Sequence, residues 1–173
     1  MARKLSKYLK ADIERGFILA YYEMVKGCTV SLDIPGENIV PVVAFAHKPG
    51  EIYGMDFSST YHFAAKEKLQ TRLRRVQKKV AALQRYAEFA ALQMEMKYQV
   101  VYEIWCFMPP NKLVLETVSK AREEGMPVEL VSVQEVHARL KQVTLLEPMD
   151  KDIIYENAFL WAASLFRNAG AWK

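Results

Sequence analysis

The sequence predicts a mixed α/β protein, in which helices flank a central sheet that contains both antiparallel and parallel strands. The first observation is a set of five short apolar runs, rich in β-branched and aromatic residues, which are typical of strands. The second is that the earliest runs follow one another through turns, and Pro49-Gly50 joins two of them as a hairpin. The third is that helical segments separate the later runs, which indicates a parallel pair with a right-handed connection.

One helix and three strands are predicted in the first half of the chain. Residues 4–26 have apolar side chains at three- and four-residue spacing, which is typical of an amphipathic helix, and Gly27 ends this pattern. Strands are predicted at 28–34, 39–46 and 52–57. The order to this point is therefore helix, strand, strand, strand.

A long helix and then two strand–helix pairs are predicted in the second half of the chain. The long helix covers 63–97, and the run QVVYEIWCFM at 99–108 fits a strand buried on both faces. Asn111 is placed to cap a helix over 113–124, which Gly125 ends. The remaining elements are a strand at 127–133, a helix at 132–143 with capping-box spacing between Ser132 and Glu135, and a C-terminal helix at 150–166.

Length and composition indicate a globular protein with one main domain. The chain has 173 residues, of which 51% are apolar and 25% charged, enough for a sizeable hydrophobic core. We assign residues 1–147 to an α/β domain that includes the helix at 63–97, and residues 148–173 to a C-terminal helical extension. Cys28 and Cys106 lie in strand-like runs, and we expect them to be buried thiols in a reducing compartment.

The sequence contains no pattern that directs a protein to a membrane or marks a common cofactor. The basic N-terminus lacks the apolar core of a signal peptide, and no segment approaches the roughly 18 apolar residues of a membrane span. Walker, GxGxxG, GxSxG and zinc-type cysteine patterns are also missing from the sequence. We therefore expect a cytoplasmic protein with no membrane partner, no resident cofactor and no small-molecule substrate.

The positive charge of the chain is concentrated in one segment of the long helix. Residues 66–85 hold eight basic residues and only one acid, whereas the whole chain has a formal net charge of +4. Such a run is typical of contact with nucleic-acid phosphates, although charge runs on long helices are also often only solvated. The residues expected to contact nucleic acid are Lys68, Arg72, Arg74, Arg75, Lys78, Lys79 and Arg85.

The same helix carries an apolar stripe with the 3.5-residue period of a coiled coil. A helix of about 35 residues would extend roughly 50 Å, and we expect its first half to project beyond the sheet. This stripe predicts a homodimer, and the alternative is a single helix that packs on its own sheet. The residues assigned to the dimer interface are Leu69, Leu73, Val76, Val80 and Leu83.

One stretch, GENIVPVVAFAHKPGEIYGMDFSS at 36–59, resembles a nuclease active-site hairpin. It is similar to the hairpin of the PD-(D/E)XK, or restriction-endonuclease-like, superfamily, and nearest in pattern to the archaeal Holliday-junction resolvases. Those enzymes carry Pro-Asp at the start of one strand and Glu-x-Lys at the end of the next. Here Pro41-Val42 and Asp56-Phe57-Ser58 stand at these positions. The resemblance implies an αβββαβ core with a mixed central sheet, over about residues 1–143.

The resemblance also implies a magnesium site that this sequence supplies only in part. Phosphodiester cleavage by this class needs a divalent cation held by two carboxylates, and a lysine that positions the nucleophile. Asp56 is the one acid retained as a metal ligand, because Val42 offers no oxygen and Ser58 is neutral. If the enzyme is active, the other catalytic acids would be Glu14 and either Asp33 or Glu37, with Lys48 or Lys66 as the lysine.

Three hypotheses for function follow from these patterns. The preferred one is a catalytically degenerate, nuclease-like protein that binds nucleic acid or a partner protein through its basic long helix, as a homodimer. The second is an active magnesium-dependent DNA endonuclease with rearranged acids. The third is a scaffold or assembly protein, of viral or plasmid type, that does not bind nucleic acid.

Overall fold

Helices and strands occur in the order in which the spacing of apolar residues changes along the sequence. The structure is a computed structural model that describes residues 2–35, 42, 44–57, 68–144 and 159. Its helices are α1 (Ala2–Ala20), which continues as a π-helical turn at Tyr21–Val25, α2 (Leu69–Met94), α3 (Lys112–Glu123) and α4 (Val133–Thr144). Its strands are β1 (Thr29–Ser31), β2 (Ala44–Lys48), β3 (Glu51–Phe57), β4 (Gln99–Trp105) and β5 (Val128–Val131).

The five strands form one mixed sheet in the order β1-β2-β3-β4-β5. Strand β2 is antiparallel to both of its neighbours, β1 and β3, and Lys48 pairs with Glu51 across the Pro-Gly turn. The last three strands are parallel, and α2 and α3 provide the two crossovers between them. The predicted mixed α/β class is therefore confirmed.

The described residues fall into two compact units. Cys28–Val136 contains the sheet together with α2 and α3. The other unit contains the N-terminal helix and the chain from His137 onward, in which the rings of Phe17 and Phe159 lie 5.1 Å apart. Apart from Phe159, the predicted C-terminal extension at 148–173 lies outside the described residues.

The core of the larger unit lies between one face of the sheet and helices α2 and α3. Side chains alternate between the two faces of a strand, so Ile52, Gly54 and Asp56 of β3 share the face that carries Tyr102 and Ile104 of β4. Gly54 allows α2 to approach closely, because a Cβ there would lie 2.6 Å from a methyl carbon of Leu83. The sheet face and α2 are thus in direct contact at Gly54, two residues before Asp56.

The helix ends follow the capping residues of the sequence. The side chain of Asn111 accepts a hydrogen bond from the backbone nitrogen of Val114 at 2.9 Å, which caps α3 as predicted. Ser132 and Glu135 form the predicted capping box at the start of α4, with hydrogen bonds in both directions. Gly125 has a φ of 76°, in the left-handed region that ends a helix.

Helix α2 ends before the residue that its apolar pattern predicts. The helix was predicted at 63–97, but Glu95 has a φ of 50° and ends it at Met94. Residues 63–67 lie outside the described residues, and the 26 described residues of α2 extend about 39 Å. The buried face of α2 runs to Ala87, and most side chains of the last two turns are exposed. The end that projects is therefore the second half, whereas the first half was predicted to project.

Candidate functional site

Asp56 occupies the place in the fold that the hairpin pattern assigns to the retained acid. It is the penultimate residue of β3, and it points toward α2 because it shares a sheet face with Ile52 and Gly54. Its side chain is inside the protein, since only 1% of the residue is exposed. A carboxylate removed from water to this degree must be compensated by hydrogen bonds or by a cation.

Two side chains compensate Asp56 at the same oxygen. Lys79 of α2 forms an ion pair with Asp56 and donates a hydrogen bond from Nζ to Oδ2. Tyr102 of β4 donates its phenolic hydrogen to the same Oδ2. Three elements of the larger unit, namely β3, β4 and α2, therefore meet at one buried carboxylate.

Burial changes the acid–base behaviour of Tyr102. Desolvation of its fully buried ring is the main cause that raises the pKa of this tyrosine well above its usual value of 10. The negative charge of Asp56 and the hydrogen bond to it raise the same pKa further. Tyr102 therefore remains a protonated hydrogen-bond donor at neutral pH, and it has no basic form available for proton abstraction.

The described residues do not fit a magnesium site at Asp56. A magnesium ion prefers several oxygen ligands, and here one carboxylate oxygen already accepts two hydrogen bonds, one of them from a cation. Val42 lies at the end of the hairpin where the resemblance expects the second acid, and its side chain is part of the apolar core. Within the described ranges, no group of three or more metal-ligating side chains is found.

The other acids predicted for an active enzyme are not brought to Asp56 by the larger unit. Glu14 is buried in α1, which belongs to the other unit. Asp33 is exposed in the segment after β1, where its backbone carbonyl accepts a hydrogen bond from Ser31 at 2.6 Å. Glu37, Ser58 and Lys66 lie outside the described residues, and Lys48 pairs with Glu51 at 3.3 Å.

The predicted nucleic-acid-binding residues of α2 divide into an exposed and a buried set. Two of the assignments are wrong, because Arg72 is only 1% exposed and Lys79 is directed to Asp56. Neither cation can reach a phosphate while the sheet is packed against α2. The remaining cations form an exposed basic strip that consists of Lys68, Arg74, Arg75, Lys78 and Arg85.

The basic strip has few acidic side chains near it on its own helix. Between residues 68 and 87 the sequence contains no aspartate or glutamate, and Glu88, one turn after Arg85, is the first acid that follows the strip. On the flank that faces α3, Gln77 donates a hydrogen bond from Nε2 to Oε2 of Glu124 at 3.0 Å. An acid at the end of α3, Glu124, therefore lies next to this flank of α2. The cations of the strip lie on the exposed surface away from it.

The apolar stripe of α2 does not form the predicted dimer interface. Leu73, Val76, Val80 and Leu83 are buried in the core against the chain's own sheet, and Leu69 packs against the same core. Residues that already pack in the chain's own core leave little surface for a second copy, so this packing gives no support to a coiled coil through them. The alternative, in which the helix packs on its own sheet, describes this part of α2.

The sequence patterns did not predict the roles of Tyr102, Lys79 and Arg72. The two basic residues are seven positions apart, and both flank the apolar stripe rather than lying opposite to it. This helical phase was the available signal that their side chains face the sheet. Nothing in the sequence marked Tyr102 as the partner of Asp56, because the pairing depends on the register of β3 and β4.

Comparisons with known proteins give no independent assignment for this site. No family model matches the chain, and neither the curated proteins nor the solved structures provide a match. None of the described helices is both long enough and apolar enough to cross a membrane. The features of the described residues that bear on function are therefore the geometry of Asp56 and the basic strip of α2.

Proposed function

We propose that this protein binds nucleic acid through the basic strip of α2 and does not cleave it. The observation that carries the proposal is the strip itself, in which five exposed cations lie on one helix with no acid between residues 68 and 87. Mixed charges are the usual state of a solvated helix, because opposite charges one turn apart stabilise it. A surface of one sign instead favours a polyanion.

The dimensions of the strip suit a nucleic-acid backbone. Arg74, Lys78 and Arg85 lie on one line along the outer face of α2, and the distance from the first to the last is about 17 Å along the helix axis. A duplex carries roughly ten phosphate charges over that length. Several of them can therefore be within reach of the strip at the same time.

The chemistry of the strip favours contacts with phosphates over contacts with bases. Its long cationic side chains are separated by glutamine, threonine and alanine, and no aromatic ring for base stacking occurs between Lys68 and Arg85. Binding of this type releases counterions and has little sequence preference. We therefore propose a ligand class of DNA or RNA recognised by its backbone.

The state of Asp56 supports binding without cleavage. The carboxylate that the family resemblance assigns to the metal is held by Lys79 and Tyr102, and Val42 packs in the core where the second acid is expected. The order α-β-β-β-α-β through β4 is compatible with the restriction-endonuclease-like core that the resemblance implies. We propose that the chain is a degenerate member of that superfamily, in which a structural ion pair replaces the metal site.

The protein is proposed to act in the cytoplasm. Cys28 and Cys106 are buried free thiols, which is compatible with a reducing compartment.

A salt titration of binding to a fluorescent 24-base-pair duplex tests the proposal. If all five cations contact phosphates, the slope of log K against log salt is about −4.5, so the affinity falls about 500-fold between 50 and 200 mM. In Arg74→Gln/Lys78→Gln the slope should be about −2.7. The matched control is Lys112→Gln/Lys120→Gln on α3, where each lysine pairs with a glutamate of the same helix.

The two double variants remove the same charge from the protein, so net charge alone predicts the same effect on both. Loss of affinity and slope only in the α2 variant supports the strip as the binding surface. Equal effects of both variants, or absence of binding at 50 mM salt, would contradict the proposal.

A further inference from the structure

Phe89 is an aromatic side chain on the solvent side of α2, close to the end of the basic strip. The residue is 61% exposed, whereas Phe45 and Phe57 are buried. It lies about 180° around the helix from Val80, which packs in the core, so its ring projects directly away from the sheet. One exposed apolar side chain is ordinary, and its meaning therefore depends on its neighbours.

The basic strip leads directly to this ring. Arg74, Lys78 and Arg85 lie on one line along the outer face of α2. Phe89 is one turn beyond Arg85, about 6 Å further along the helix axis and about 40° around it. The line of cations is therefore continued by an exposed aromatic ring.

The one acidic residue of α2 lies to the side of this line. Glu88 is about 100° around the helix from Phe89, on the side that carries Gln77. That side is the flank on which Gln77 contacts Glu124 at the end of α3. A polyanion that follows the cations to Phe89 therefore need not pass over a carboxylate of this helix.

Further aromatic surface lies on the other side of Phe89. Tyr86 is three residues earlier, so the two side chains are neighbours on the helix surface. The ring of Tyr86 is edge-on to that of Phe45 at 5.0 Å, and the ring of His47 lies 5.9 Å from it. Tyr86 and His47 are only partly buried. The end of the strip therefore carries aromatic surface that the sheet holds in place.

Cations followed by aromatic rings are the combination that binds single-stranded nucleic acid. The cations contact phosphates, and the bases of a single strand are free to stack on aromatic side chains. In a duplex the bases are already stacked on each other, so a ring on the surface of a helix finds no base face along its length. An exposed ring in line with the cations therefore favours a single strand.

We infer that the ligand of the basic strip is a single-stranded segment of DNA or RNA, one base of which stacks on Phe89. This inference rests on the proposed binding of nucleic acid by the strip, to which it adds the class of ligand. Phosphates contact Arg74, Lys78 and Arg85, and the base that follows them lies against the ring of Phe89. Stacking is sequence-tolerant, because every base has an aromatic face.

Two fluorescent strands of about 16 nucleotides separate stacking from charge, one of thymidine and one abasic strand with the same number of phosphates. The protein should bind the thymidine strand about tenfold more tightly than the abasic strand. Phe89→Leu keeps an apolar side chain without a ring, and it should lose most of this preference. Its salt slope should equal that of the wild type, because stacking releases no counterions. Phe89→Trp should restore the preference.

The matched control is Leu115→Ala, which changes an exposed apolar side chain on α3 and should bind both strands as the wild type does. Salt-sensitive binding of both strands, with the same affinities in wild type and Phe89→Leu, would overturn the stacking contact and leave the strip as the binding surface. Absence of binding to either strand at about 50 mM salt would contradict the strip itself, and the stacking contact with it.

The duplex of the salt titration tests the preference for a single strand. Phe89→Leu should change its affinity by less than about twofold, because the bases of a duplex do not reach the ring. An equal loss of affinity for the duplex and for the thymidine strand would overturn the inference, since Phe89 would then act on the backbone or on the fold of α2 and not on a base.

Discussion

Lys79 of α2 and Asp56 of β3 form a buried ion pair that connects the long helix to the end of the central strand. The pair explains two sequence features at once. It accounts for a cation on the sheet-facing side of α2, and it gives a structural role to Asp56, the acid that the sequence resemblance assigned to a metal site. A carboxylate held by an ammonium group and a phenol is poorly suited to hold a magnesium ion.

Removal of Lys79 should destabilise the protein strongly. Lys79→Met leaves the Asp56 carboxylate buried without its cation, and the free energy of unfolding should fall by about 3–5 kcal/mol in urea denaturation. Asp56→Leu/Lys79→Met/Tyr102→Phe should recover most of this loss, because an apolar cluster of similar volume needs no charge compensation and leaves no buried hydroxyl without an acceptor. The matched control is Lys78→Met at the neighbouring exposed position, which should change stability by less than about 0.5 kcal/mol. Equal effects of Lys79→Met and Lys78→Met would show that the ion pair is not formed.

The stability of the protein should decline above pH 10 because of Tyr102. Its pKa is raised in the folded state, so above the usual tyrosine pKa the unfolded chain loses a proton that the folded chain retains. Unfolding is then favoured, and the free energy of unfolding falls as the pH rises. Tyr102→Phe should reduce this slope between pH 9.5 and 11, although it lowers stability at pH 7 by about 1.5–3 kcal/mol through loss of a hydrogen bond to a charged acceptor. An unchanged alkaline slope in Tyr102→Phe would contradict the assignment.

Arg72 and Arg75 should have opposite effects although they are three residues apart. Arg72 is buried, so Arg72→Ala should lower the urea midpoint and leave the salt slope of nucleic-acid binding unchanged in folded protein. Arg75 is exposed, so Arg75→Ala should leave the midpoint nearly unchanged and reduce the salt slope by about 0.9. If Arg72→Ala instead changes the salt slope, its guanidinium reaches the ligand and is not buried.

Gly54 should tolerate no larger residue while Leu83 is present. A Cβ at residue 54 would lie 2.6 Å from Leu83, so Gly54→Ala should cost about 1–3 kcal/mol of stability through overpacking. Leu83→Ala alone creates a cavity and should cost about 2–5 kcal/mol. The double variant should lose less than the sum of the two, because each change relieves the other. Strict additivity in denaturant unfolding would show that β3 and α2 are not in contact at this point.

The sequence allowed the fold class and the helix caps to be predicted, because both depend on local patterns. Asn111 and Gly125 at the ends of α3, and the Pro49-Gly50 turn between β2 and β3, act within a few residues of their position. These local signals determine where an element begins or ends. They do not determine which elements lie side by side.

The role of α2 could not be predicted from its periodicity alone. An apolar stripe with a 3.5-residue period can pack equally well against a second helix or against a sheet. Here α2 packs on the sheet because it is the crossover between the parallel strands β3 and β4. The pairing of these two strands brings Tyr102 to Asp56 from a sequence distance of 46 residues, and the packing of α2 on the sheet brings Lys79 there from a distance of 23 residues. A long-range contact of this kind leaves no pattern in a single sequence.

Binding without cleavage can be measured by electrophoretic mobility of end-labelled single-stranded and duplex DNA, with magnesium or with EDTA and at two salt concentrations. We expect retarded DNA that remains intact in both metal conditions, with retardation that weakens as salt increases. Shortened DNA that appears only with magnesium, and is lost in Asp56→Asn, would show that Asp56 serves a metal and that binding without cleavage is wrong.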